Sequence, residues 1–137
     1  IVTDTNMALA GINKRALARH GGEAHCFMAD EKVAALAKER GVTRATVSME
    51  FAAQLNKPVI FAVGNAPTAL IRLYEMITGG EFRPAFIIGV PVGFVNVEAA
   101  KELILKTDVP YIINRGRKGG SNVAAAICNA LLYELGR

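Results

Sequence analysis

What most constrains the fold of this chain is a unit repeated three times in its second half: an apolar run, a glycine-containing loop, and an amphipathic stretch. The runs open at Pro58 (Pro-Val-Ile-Phe-Ala-Val), Pro84 (Pro-Ala-Phe-Ile-Ile-Gly-Val) and Pro110 (Pro-Tyr-Ile-Ile). Short, β-branched and bounded by proline, they read as strands, and their nearly unbroken apolarity means burial on both faces. Two more strands are expected at residues 1–3 and 24–28. The pattern predicts one α/β domain over residues 1–137, a three-layer, doubly wound, mostly parallel five-stranded sheet with right-handed crossovers. In such sheets ligands bind beyond the carboxyl ends of the strands. Loops 64–68, 89–94 and 115–121 would gather there.

The intervening helices follow from caps and stripes. Asp30 caps a helix to about Arg40 that Gly41 ends, and Thr43 opens another with Val47, Phe51 and Leu55 on one stripe. Pro67 suits a first helical position, with Ala69, Leu70, Leu73, Met76 and Ile77 inward and Gly79-Gly80 as the stop. Asn96 is expected to cap a helix carrying a Glu102–Lys106 pair, and Ser121 to cap the last helix, to about Leu135. Residues 4–12 read as a loop at a strand end. Residues 14–19 are basic and poorly periodic.

The loop Asn-Arg-Gly-Arg-Lys-Gly-Gly-Ser, residues 114–121, sets Arg115, Arg117 and Lys118 beside Gly119, Gly120 and Ser121 at a helix start. Backbone N–H groups, a helix dipole and cations then meet, in outline an anion site. The competing reading is a basic surface turn. Neither the G-x-x-x-x-G-K-[ST] nor the G-x-G-x-x-G spacing occurs, so no nucleotide cofactor is expected. His20 and His25 lack partners at metal-ligand spacing, and no metal is expected either. Ser121 has no base beside it in sequence, which leaves capping as its role. By pattern alone Arg44, early in its helix, is solvated.

Sixteen basic against 12 acidic residues give a net charge of +4, compatible with an anionic ligand but too small to call for nucleic acid. Cys26 and Cys128 sit in apolar runs and read as unpaired thiols of a reducing compartment. No run approaches the roughly 20 apolar residues that span a bilayer, and a soluble, cytoplasmic protein without membrane contact is expected. Ile1 stands where a Met would open a reading frame and already reads as strand, so upstream sequence is expected.

Three segments, Gly64-Asn-Ala-Pro-Thr-Ala-Leu, Ile88-Gly-Val-Pro-Val-Gly-Phe-Val and Arg115-Gly-Arg-Lys-Gly-Gly-Ser, in this order and spacing resemble the precorrin-8X methylmutase family, also called cobalt-precorrin-8 methylmutase. The opening Asp4-Thr-Asn-Met-Ala-Leu-Ala-Gly-Ile is similar too, with Thr5 and Asn6 at variable positions. The resemblance covers essentially the whole chain. It implies a flavodoxin-like fold and an isomerase of cobalamin biosynthesis that moves a methyl group from C-11 to C-12 of a corrin precursor. No added cofactor is implied, and the working state is a homodimer with its site near the subunit interface.

Implied substrate-binding residues are Asn65 and Thr68 of the first segment, Gly93 and Phe94 of the second, and those named above in the third. Arg44, in its Gly-Val-Thr-Arg setting, matches an arginine that approaches the tetrapyrrole. Carboxylates around a corrinoid suit arginine forks and helix-start N–H groups, while Phe94, Val95 and Met7 suit the ring face. The family's proton-transferring histidine is expected upstream of this chain, at a place neither His20 nor His25 occupies. Two other readings are a non-catalytic module binding an anion with the same loops, and a nucleic-acid binder using Arg115, Arg117 and Lys118.

Overall fold

The structure, a computed structural model, describes residues 1–136. Five parallel strands, β1 (Val2–Thr3), β2 (His25–Cys26), β3 (Ile60–Val63), β4 (Phe86–Gly89) and β5 (Tyr111–Ile113), lie in the order β2-β1-β3-β4-β5. Register is fixed by pairs such as Val2 with Phe61 and Ile87 with Tyr111. Alternation along the strands divides the core. Phe61, Val63 and Ile87 face α4 (Arg44–Ala53), α5 (Pro67–Thr78) and α6 (Val97–Leu105), whereas Ala62 and Ile88 face α7 (Ser121–Leu135) and the chain's start. The sheet is therefore doubly wound, with helices on both faces. An outer helix, α3 (Glu31–Arg40), packs Val33 and Ala37 on Val47 of α4.

Several sequence expectations change on this scaffold. Residues 4–12 contain a helix, α1 (Asn6–Gly11), and 14–19 form α2 (Lys14–Arg19). Each is six residues long, too short for periodicity to show. Each exists because a cap, Thr5 or Asn13, accepts a backbone N–H from Ala8 or Ala16, and because Ala8, Ala16 and Leu17 are buried. The stripe of α4 that faces the sheet is Ala45, Met49 and Ala52, while Val47 and Phe51 meet α3.

Asn96 does not cap α6 through its side chain. It takes a left-handed backbone, φ 61°, a conformation asparagine tolerates. Glu102 pairs with Arg115 at 3.3 Å instead of with Lys106. Both cysteines are free, and burial pushes the Cys128 thiol up to about 11. Among the described residues no helix is long and apolar enough to cross a membrane.

Candidate functional site

The strand order reverses between β1 and β3, and at this point a doubly wound sheet ordinarily offers helix-start N–H groups to a ligand. Here the chain fills the place itself. Asp4, fully buried at the end of β1, accepts the N–H groups of Gly64, Asn65 and Ala66 at 2.9, 2.8 and 2.7 Å, at the start of α5. Burial raises its carboxyl pKa above the ordinary value, and these bonds offset only part of that rise. A ligand anion is thereby excluded from those amides, and loop 64–68 is left to offer side chains. Asn65 is exposed, and the Thr68 hydroxyl accepts from that of Thr43 at 2.9 Å. That bond joins the start of α4, with exposed Arg44 as its first residue, to the start of α5.

The other loops lock onto one another through the backbone. The Gly120 N–H donates to the Val90 carbonyl at 2.9 Å, and the Gly93 N–H to the Arg117 carbonyl at 3.0 Å. Two glycines permit the closeness. A Cβ on Gly64 would stand 2.5 Å from the Gly120 oxygen, and one on Gly119 would run into the Val90 carbonyl. Ser121 does not cap α7; the cap position is Gly120, and the Ser121 hydroxyl instead bonds that of Thr5 at 2.7 Å. Four strand ends, β1, β3, β4 and β5, thus form one surface.

On it the cations stand outward. Arg115, 77% exposed, leans on Glu102, and Arg117 Nε bonds Glu98 at 3.0 Å with its guanidinium 5.1 Å from the Phe94 ring centre. Lys118 is exposed beside them. Phe94 and Val95 of the loop after β4 and Met7 of α1 are 81%, 79% and 71% exposed, a large apolar display for one end of a sheet. This strand-end platform thus carries both cations and exposed apolar side chains. Below the basic loop Lys101, on the apolar stripe of α6, is fully buried and donates to the carbonyls of Gly116 at 2.8 Å and Lys118 at 3.0 Å.

His20 and His25 lie at the other end of the sheet. Both line a cleft of about 860 Å³ among Val2, Pro58, Ile60 and Phe86, where the strands begin. The cleft's walls are largely apolar, and it is separate from the loop platform. Among the described residues no group of His, Cys, Asp and Glu could hold a metal ion.

A cationic, partly apolar surface at the strand ends of a doubly wound α/β sheet suits an anionic ligand that also carries apolar surface. Comparison with known proteins makes the class specific. The family model described as precorrin-8X methylmutase matches residues 1–134, and the chain belongs to that family. It is 48% identical over 136 residues to the cobalt-precorrin-8 methylmutase of Salmonella typhimurium, covering 98% of this chain and 63% of that one. It is 40% identical to the precorrin-8X methylmutase of Pseudomonas aeruginosa, covering 98% and 65%. A solved structure of precorrin-8X methylmutase from Thermus thermophilus superimposes with a TM-score of 0.85 at 39% identity, covering 96% and 64%. The chain thus spans under two thirds of the length of these relatives.

Sequence reasoning singled out neither Asp4 as a loop anchor nor Lys101. A signal existed for Lys101: Val97, Ala100, Lys101 and Ile104 fall on the i, i+3, i+4, i+7 stripe, where a lysine is out of place. For Asp4 the only hint was a carboxylate directly after a strand.

Proposed function

We propose that this chain belongs to a methyl-shifting isomerase of cobalamin (vitamin B12) biosynthesis. It acts on precorrin-8X or cobalt-precorrin-8 and moves a methyl group from C-11 to C-12 to give hydrogenobyrinate or cobyrinate. The observation that carries this reading is the pairing of Arg117 with the exposed Phe94 ring on the strand-end platform of a chain whose relatives are named for this substrate. Such a substrate is a broad ring fringed by carboxylates. Its edges suit Arg44, Arg115, Arg117 and Lys118, and its face suits Phe94, Val95 and Met7.

Asn65, Thr68 and Gly93 border the same surface, and Ser121 with Gly119 and Gly120 forms its floor. In the reaction the bond from C-11 to the methyl carbon breaks as the bond to C-12 forms. Substrate and product are isomers, so no cofactor, oxidant or metal of the protein's own is called for. Protonation of the conjugated ring draws the methyl toward an electron-poor carbon and is reversed afterwards. Glu98 and Glu102 offset two of the four cations, which leaves a field suited to a polycarboxylate rather than to nucleic acid.

The test is a spectrophotometric titration with hydrogenobyrinate, and absence of saturable binding would overturn the reading. Lys118→Ala is expected to weaken binding about 10- to 100-fold, roughly 1.5–3 kcal/mol for one charge-assisted contact. Arg117→Ala should cost less, because in the free protein Glu98 already holds this guanidinium. Both variants should keep the wild-type melting temperature, and unchanged affinity in both would remove the loop from the site.

A cytoplasmic homodimer is part of the same proposal. Leu131, Tyr133 and Leu135 of α7 are 38%, 54% and 68% exposed while its other side is buried on the sheet. Light scattering at micromolar concentration should give twice the 14.6 kDa chain mass, and a monomer mass would count against the dimer.

A further inference from the structure

Three consecutive carbonyl oxygens of the basic loop, those of residues 116–118, accept hydrogen bonds from donors within the protein. That of Gly116 accepts from Lys101 Nζ at 2.8 Å, that of Arg117 from the Gly93 N–H at 3.0 Å, and that of Lys118 from Lys101 Nζ at 3.0 Å and Asn114 Nδ2 at 2.7 Å. Two of these four bonds come from one buried ammonium. Burying a cation on the apolar stripe of α6 is costly, and a methionine of similar volume would fill the space without that cost. Desolvation lowers the Lys101 pKa from its ordinary value. The retained charge therefore has work that packing alone does not explain.

A carbonyl turned toward a carboxylate repels it. A loop that is to grip carboxylates must show them donors only, and its oxygens need partners elsewhere. We propose that Lys101 is a positioning residue for carboxylate recognition, holding the carbonyls of Gly116 and Lys118 away from the ligand so that loop 115–118 presents side-chain cations. Lys101 itself does not reach the platform, and it acts through the loop. The role in recognition rests on the corrinoid reading above, whereas the role in loop geometry does not.

The experiment compares wild type with Lys101→Met, which keeps the volume and removes the charge. Three quantities are read: the Kd for hydrogenobyrinate, the melting temperature, and hydrogen exchange of the amides of residues 115–119. Lys101→Met should raise Kd at least about tenfold and speed exchange in that segment, with the melting temperature not lowered. A packing role alone predicts no change, because methionine keeps the volume: Kd and exchange in the loop would then stay at their wild-type values.

Lys101→Arg, which keeps the charge, should bind within a few-fold of wild type. If Lys101→Met does not fold, Asn114→Ala removes the other donor to the Lys118 carbonyl and should raise Kd about threefold. Unchanged affinity there, or in a folded Lys101→Met, overturns the proposal. Should wild type itself not bind hydrogenobyrinate, the corrinoid reading falls, and exchange alone then decides whether Lys101 shapes the loop.

Discussion

Gly119→Ala is expected to abolish measurable corrinoid binding, at least a 100-fold loss, and to destabilise the protein by about 3 kcal/mol, near the upper end for overpacking. The cause is contact rather than torsion. A methyl group at this position would collide with the Val90 carbonyl oxygen and stand 2.7 Å from its carbon and 2.9 Å from the Pro91 oxygen. All three are backbone atoms, so no side chain can swing aside. The β4 and β5 loops would have to part, breaking the Gly120 to Val90 and Gly93 to Arg117 bonds that hold the platform together.

For a chain of this size the melting temperature should fall by roughly 10 °C. Gly21→Ala supplies the contrast. Gly21 has φ 74° with nothing within 4 Å of an added Cβ, so only torsional strain opposes the change, about 1 kcal/mol. Its binding should match wild type. A Gly119→Ala protein that melts and binds like wild type would show that the two loops are not in fact locked.

The 137-residue chain by itself is expected to bind the corrinoid product yet to convert precorrin-8X roughly 10²- to 10⁴-fold more slowly than a longer relative such as the Pseudomonas aeruginosa precorrin-8X methylmutase, the usual worth of a positioned general acid. The expectation follows from the groups at the strand ends. The Asp4 carboxylate is occupied by three N–H groups, and Glu98 and Glu102 are paired with Arg117 and Arg115. Lysine and arginine are weak acids near neutral pH. Both histidines line the cleft at the other end of the sheet. Following the spectral change of precorrin-8X with each protein decides the matter. Equal turnover would mean that the acid is one of these 137 residues, and His20→Ala and His25→Ala would be the next variants to assay.

The sequence by itself determined the sheet and the end of it at which the glycine loops gather. Apolar runs opened by Pro58, Pro84 and Pro110 can be covered only in a parallel, two-faced sheet, and glycine loops after each run had to meet at one end of it. Those are local signals, repeated within a few residues. The family was legible in the same loops, because close backbone approach at Gly64 and Gly119 leaves little freedom in what surrounds them.

What the tertiary structure alone decided are relations between residues far apart in the chain. Asp4 meets the amides of residues 64–66, Thr5 meets Ser121, and Lys101 meets the carbonyls of Gly116 and Lys118. Ser121 looked like a cap because its neighbours in sequence suggested one, but a hydroxyl bonds whatever donor or acceptor the fold brings nearest. The short helices α1 and α2 likewise pack against α7, and periodicity over six residues holds no record of that contact. Strand and helix patterns are written in neighbouring side chains, whereas polar groups are satisfied across the fold, and only the folded chain shows which donor each acceptor has found.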